Sequence, residues 1–284
     1  MSDAQYLEEV RGFAVMSFGD KLNRAMDLVK SRGLSIFLVA LAVGGGMLVF
    51  MLLGGLIMGL LGLPAFISRG GSAVSAASAI LLVLFAFVFY FALIFLGNIL
   101  TVGVFSLLLR YVHEDSPDNV AAVVLAPLRR LTSIGLPLVA WVVVFFVTLL
   151  IVALFSLIPF VGILINLAGS FFLNIWNVCV LFYLADKEEV GVAEILTEPL
   201  RIFMGDFLNW LLASAAMFIM IFPGAIVLVL IFYILGSGAG GLVVGGLFGL
   251  IYFVLFYLFA GCFTAYVYRQ SSARLLAKRA ATVF

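Results

Sequence analysis

Six stretches of this chain are apolar for long enough to cross a lipid bilayer as helices, and none places an Asp, Glu, Lys, Arg or His deep inside. They run over residues 34–63, 79–109, 136–158, 160–185, 208–235 and 242–268. A hydrocarbon core of about 30 Å needs roughly 20 apolar residues at a rise of about 1.5 Å each. Lipid offers no hydrogen bonds, so every backbone N–H and C=O in such a run must be satisfied within the segment, which an α-helix does. The second stretch has 31 residues, about 46 Å as helix, so it tilts or projects beyond the hydrocarbon. With 66% hydrophobic and 10% charged residues, against about 25% charged in a soluble domain, the chain has too much apolar surface for a water-soluble core. The expected fold class is an all-α membrane protein with six transmembrane helices.

The charges predict orientation. The N-terminal segment holds five Lys/Arg, the 110–135 loop three, the 186–207 loop two and the C-terminal tail four, while the opposite face holds Arg69 alone. Fourteen against one is a strong positive-inside bias, so both termini and both charged loops are expected in the cytoplasm, as in a prokaryotic inner membrane protein. The first 32 residues carry five basic and five acidic side chains, which fits neither a signal peptide nor an acid-poor transit sequence. The expected organisation is a cytoplasmic amphipathic segment at 1–33, a six-helix domain at 34–268 and a basic cytoplasmic tail at 269–284. Cys179 and Cys262 lie inside apolar runs, where thiols act as small hydrophobes, so neither a disulfide nor a metal is expected. A net charge of +1 without a basic domain excludes nucleic acid as a partner.

An internal repeat is visible. Residues 119–131 read NVAAVVLAPLRRL and, displaced by 72, overlie 191–203, GVAEILTEPLRIF; each precedes a pair of spans. The ends of the preceding helices match too, 98–104 resembling 174–180, and the segment around 17–34 fits the template more weakly. The expectation is three tandem hairpins, at about 17–111, 119–185 and 191–268, each preceded by a cytoplasmic interfacial segment. Leu22, Ala25, Met26 and Val29 form an apolar stripe opposite Asp20, Arg24, Asp27 and Ser31. Likewise Glu194, Thr197, Glu198 and Arg201 share one face, with Ile195, Leu196, Ile202 and Phe203 covering the rest. Pro127 and Pro199 lack a backbone N–H, which predicts two short helices meeting at each proline.

This architecture, with an interfacial segment before each hairpin and the Asp-Lys-Glu-Glu turn at 186–189, resembles an uncharacterised prokaryotic six-helix family. That family is named after the membrane domain of glycerophosphoryl diester phosphodiesterase. The resemblance covers roughly residues 17–270 and implies a membrane module without the catalytic barrel that gives the family its name. The Leu157-Ile158-Pro159-Phe160-Val161-Gly162 corner is also similar to sulfate-permease-type inner-membrane proteins.

Candidate functional residues fall into three groups. Asn166, Ser170, Asn174 and Asn177 lie within about 80° of one another on the fourth span, with Asn98 and Thr101 in the matching place on the second. Such a stripe either walls a pore or supplies hydrogen bonds between helices. Gly55 and Gly59 on the first span, and Gly241, Gly245 and Gly249 on the sixth, have the four-residue spacing that lets backbones approach, within one chain or in a homo-oligomer. Arg269, Arg274, Lys278 and Arg279 are placed to meet lipid headgroups. Pro223-Gly224 reads as a kink in the fifth span, and His113, Glu114, Asp115 and Asp118 read as a turn.

Proton relays normally need ionisable groups in the bundle interior, which disfavours a proton-coupled carrier. No nucleophile–base pair or phosphate-binding glycine loop is present, so neither catalysis nor a cofactor is expected. The expected function is a non-catalytic membrane subunit or organiser that binds lipids and membrane protein partners. The alternative is a passive channel or facilitator for a small anionic or neutral solute.

Overall fold

The structure, a computed structural model, describes residues 12–67, 73–113, 115–156, 158, 161–236 and 238–283, without the side chains of 58, 61–79, 82, 161, 239, 242 and 281–283. Arg69, Glu114, Leu157, Pro159, Phe160 and Ser237 lie outside the described residues, and with them most of the corner at 157–162. The helices are α1 (Phe18–Ile67), α2 (Ala73–Val112), α3 (Val120–Arg129), α4 (Leu131–Phe155), α5 (Val161–Asp186), α6 (Val192–Gly205), α7 (Phe207–Leu235) and α8 (Ala239–Val283). No strand occurs among the described residues. Six of the helices, all but α3 and α6, are long and apolar enough to cross a membrane, and the chain is a polytopic membrane protein on that ground.

α1 starts where Ser17 and Asp20 cap each other. The Ser17 hydroxyl oxygen accepts from the Asp20 N–H at 3.1 Å, and the Asp20 carboxylate accepts from the Ser17 N–H at 3.2 Å. These bonds satisfy donors that a helix start otherwise leaves open, and the carboxylate favours the positive end of the helix dipole. From there α1 continues for 50 residues, about 75 Å, so the amphipathic segment and the first apolar stretch form one uninterrupted rod.

The matched segments become α3 and α6, which start at equivalent positions, Val120 and Val192. Asn119 caps α3 by accepting from the Ala122 N–H at 2.9 Å. Gly191 has no side chain to offer, and Glu194 instead reaches back to accept from its N–H at 3.2 Å. The expectation of a break at each proline is corrected: both helices run through Pro127 and Pro199. Each proline is buried against neighbouring helices, whose packing outweighs the one lost hydrogen bond. The chain bends later, at Arg130 (φ −98°, ψ 18°) and Asp206 (φ −137°, ψ 37°), where α4 and α7 begin.

Consecutive long helices lie against one another: α1 with α2, α4 with α5, α7 with α8. The pairs join through contacts of α1 with α8 and α2 with α5, and through α6, which touches α4, α5 and α8. The buried core sits at the charged end. Phe105 of α2 stacks on Phe182 of α5 with ring centroids 3.9 Å apart, and Phe182 in turn stacks on Tyr268 of α8 at 5.3 Å. Ile134, Leu138, Trp141, Ile195 and Phe203 are fully buried around this stack. At the other end Leu48, Leu52, Phe87, Leu150, Leu164, Ile219 and Leu247 are exposed, as lipid-facing residues should be.

Pro223 sits inside α7, and α7 continues through it. Its missing N–H loosens the local ladder, and the Tyr252 hydroxyl of α8 donates to the Met220 carbonyl. Gly224 makes that approach feasible, because a Cβ there would overlap the Tyr252 ring. α7 ends at Gly236, whose φ of 70° places it in the left-handed region that glycine tolerates best.

Candidate functional site

At the charged end the four charged segments are bound to one another. Lys21, 2% exposed on α1, donates through Nζ to Asn209 Oδ1 of α7 and to Gln270 Oε1 of α8 at 2.5 Å. Asn209 donates to Asp206 Oδ2 at 3.0 Å and to Gln270 Oε1 at 2.9 Å. Asp206 also accepts from Ser271 Oγ at 2.9 Å and from Arg274 Nη1 at 2.7 Å. Gln270 and Arg274 close the ring by donating to the Met16 and Ala14 carbonyls, the latter at 2.9 Å. A buried ammonium is tolerable only when hydrogen-bonded with a counter-charge nearby; two amide oxygens and Asp206 fill that role.

Further bonds extend this ring into a collar. Arg32 donates to Ser116, and Arg130 Nη1 to the Lys187 carbonyl at 2.9 Å. Arg269 pairs with Asp186 at 3.0 Å and Arg279 with Glu198 at 2.6 Å. Glu194 accepts from the Tyr183 hydroxyl. That bond, assisted by the Gly191 N–H and the Lys187 charge, holds the carboxyl below its usual range. A depressed carboxyl contributes stability that is complete above the unfolded-state pKa and is lost as pH falls through the folded-state value. Melting of the purified chain is therefore expected to drop between about pH 5 and pH 3. Glu194→Gln should flatten part of that drop, and an unchanged profile would count against this carboxylate as a source.

Two apolar cavities lie below the collar. One of about 590 Å³, partly open, lies between α1, α2, α5 and α8 and is lined by Phe37, Gly44, Gly45, Val104, Phe253 and Gly261 among others, with Thr264 and Tyr257 its polar members. The second, about 580 Å³, lies between α5, α7 and α8, and Val178 and Thr264 line both. Asn174, Ser214 and Trp210 line the second, and the Trp210 indole N–H is buried without a hydrogen-bond partner among the described residues.

The residues singled out from sequence are distributed as follows. Asn166 and Asn174 are exposed on α5; Ser170 Oγ donates to Asn166 Oδ1 at 3.1 Å, and Asn174 Nδ2 to the Ser170 carbonyl at 2.8 Å. Asn177 is half-buried and accepts from Trp141 Nε1 of α4 at 2.9 Å. Asn98 is half-buried on α2, and Thr101 bonds back to the Gly97 carbonyl at 2.7 Å. Among the described residues, Cβ atoms at Gly55 and Gly59 would meet nothing within 4 Å, whereas at Gly245 and Gly249 they would lie 2.9 Å from Phe232 and 3.2 Å from Leu228 of α7. A Cβ at Gly241 would overlap the Gly236 carbonyl. Of the basic tail, Arg269, Arg274 and Arg279 meet carboxylates and Lys278 is exposed.

The bond between Asn177 and Trp141 separates two amides that sequence treats alike. Asn177→Leu strands the indole N–H of a fully buried Trp141 and is expected to cost about 1 kcal/mol. Asn174→Leu, on an exposed face, should leave stability within about 0.5 kcal/mol. Equal losses for the two variants in a detergent unfolding titration would contradict that distinction.

Lys21, Asp206, Asn209 and Gln270 were not among the sequence candidates. The available signal was an amide in the first turn of the fifth apolar stretch and another just past the sixth. Comparison with family models, with curated proteins and with solved structures finds no match for this chain.

Proposed function

We propose that this chain is a non-catalytic integral membrane organiser that binds lipid and, beside it, partner proteins or further copies of itself. In this reading the collar faces the cytoplasm of a prokaryotic inner membrane, and the six spans form three tandem units. The carrying observation is the cavity of about 590 Å³ between α1, α2, α5 and α8, whose almost wholly apolar lining suits a hydrocarbon chain. The charge bias of the loops supports the orientation. The likeness to the six-helix family fits the same picture of a membrane module without a catalytic domain.

Native mass spectrometry of the chain extracted gently from its own membrane tests the reading. Retained lipid, or partner polypeptides in fixed stoichiometry, is the expected result. Gly45→Phe should reduce the retained lipid, because Gly45 lines the cavity and a Cβ there meets nothing within 4 Å. A chain that keeps neither lipid nor partner overturns the proposal.

A second reading, a passive route for a small anionic or neutral solute, draws on the smaller cavity. There Asn174, Ser214 and the unpartnered Trp210 N–H offer hydrogen bonds in an otherwise apolar groove. Solute flux in proteoliposomes that disappears in Asn174→Leu with assembly intact would favour this route. Flux that survives the change would remove it.

A further inference from the structure

Along α1 a polar cavity, shared with α2 and α8, is followed by an apolar groove against α2 and α3. The polar cavity, about 690 Å³, is lined by Arg24, Asp27, Ser31 and Arg32 of α1 and by Tyr111, Asp115, Ser116 and Tyr266. The apolar groove, about 590 Å³, is lined by Leu38, Val39, Ala42 and Gly46 of α1, Leu100 of α2 and Val124 of α3, with Ser35 at its mouth. The two meet where Ser35 Oγ and Tyr111 Oη lie 3.0 Å apart.

Each of the two carboxylates in this lining has a cationic partner outside it. Asp27 pairs with Lys30 at 3.7 Å and Asp115 with Arg110 at 3.6 Å. Arg24 and Arg32 have no carboxylate within 4.0 Å among the described residues; Asp20, one turn before Arg24, is near enough to feel its charge without pairing with it. Arg32 lies over the Tyr111 ring, 5.6 Å from its centroid, and donates to Ser116 Oγ, so its guanidinium is positioned but not neutralised.

Length decides what fits. From Ser35 to Gly46 the groove follows 11 residues of helix, about 17 Å, close to the half-thickness of about 15 Å of a bilayer's hydrocarbon. Arg32 lies about one turn beyond the Ser35 end of the groove, and Arg24, eight residues further along the same helix, about 12 Å beyond Arg32. We infer that this combined site binds one anionic phospholipid, with its phosphate between Arg24 and Arg32 and an acyl chain in the groove between α1, α2 and α3. This rests on the lipid-binding reading above and adds a headgroup preference at a place separate from the cavity between α1, α2, α5 and α8.

The test is native mass spectrometry of the full chain in detergent with equimolar phosphatidylglycerol and phosphatidylcholine of identical acyl chains. Wild-type protein should carry phosphatidylglycerol in clear excess. Arg24→Gln and Arg32→Gln should each reduce the excess by about fivefold, the weight of one charge beside an anionic headgroup, while Arg32→Lys keeps most of it. Gly46→Phe, at a position where a Cβ meets nothing within 4 Å, should lower retention of both lipids. Inorganic phosphate at millimolar concentration should leave the adducts in place, because the acyl chain also holds the lipid.

An excess that survives both glutamine variants, or displacement by phosphate alone, overturns the inference. Equal retention of the two lipids by wild-type protein overturns the headgroup assignment and leaves the broader reading standing. Retention of neither lipid overturns both.

Discussion

Asp206→Ala is expected to lower the unfolding free energy of the purified chain by about 2 to 3 kcal/mol, the largest loss from any carboxylate substitution in the collar. Asp206 accepts from Asn209, Ser271 and Arg274, and its side chain is 10% exposed. Removing it leaves three donors without their acceptor and takes the nearby counter-charge from buried Lys21. The partial exposure of Arg274, at 39%, keeps the expected loss at the lower end of that for buried pairs. Glu198→Ala is the control. Its partners Arg201 and Arg279 are 62% and 48% exposed, so water replaces the lost contacts and the change should stay within about 0.5 kcal/mol. Denaturant titration in detergent, followed by circular dichroism, would separate the two. Equal losses would mean that the Asp206 cluster contributes no more than a surface pair.

Gly103→Val should be more damaging, at about 3 kcal/mol or above. A Cβ at Gly103 would overlap the Val124 carbonyl oxygen and lie 2.8 Å from the carbonyl carbon. The obstacle is backbone in the middle of α3, which cannot rotate aside as a side chain does. Relief would require α2 and α3 to separate, and Val102, Val123 and Val124, all buried at this contact, would lose their packing. Gly55→Ala is the natural comparison, because a Cβ there meets nothing within 4 Å among the described residues. Alanine gains up to about 1 kcal/mol over glycine in helix propensity, so that variant should be neutral or slightly more stable. Folded, monodisperse Gly103→Val protein with wild-type stability would show that the contact between α2 and α3 can open freely.

The six helices were legible because hydrophobic length is a local property. The stretch expected at 208–235 lies within Phe207–Leu235, and the one at 160–185 nearly coincides with Val161–Asp186. The shared start of α3 and α6 was legible as well, since the repeated segments carry their own caps and apolar stripes. What sequence missed depends on partners far apart in the chain. Lys21 reads as one charge on an amphipathic stretch until Asn209 and Gln270, 188 and 249 residues away, are brought to it. Arg274 reads as a headgroup contact for the same reason, although it binds Asp206 and the Ala14 carbonyl. The bends were misplaced because proline's local effect was weighed without the packing that holds Pro127 and Pro199 inside their helices. Gly103 looked like any other small residue, for its neighbour Val124 becomes a neighbour only through the fold.

The contrast between jointed and unjointed helices has a mechanical consequence. α1 and α8 run unbroken for 50 and 45 residues from the apolar end into the collar, whereas the chain bends at Arg130 before α4 and at Asp206 before α7. A rod without a joint transmits rotation along its length, while a joint absorbs it. Lys21, Asn209 and Gln270 all sit on unbroken helices that include a span, with Asn209 on the membrane side of the bend at Asp206, so a change of tilt in a thinner or thicker bilayer reaches all three, while α6 lies across that bend. The joint at Asp206, between a spanning helix and α6, is therefore where a change of tilt is expected to be taken up, and the hydrogen bonds that Lys21 makes join helices that tilt with the membrane.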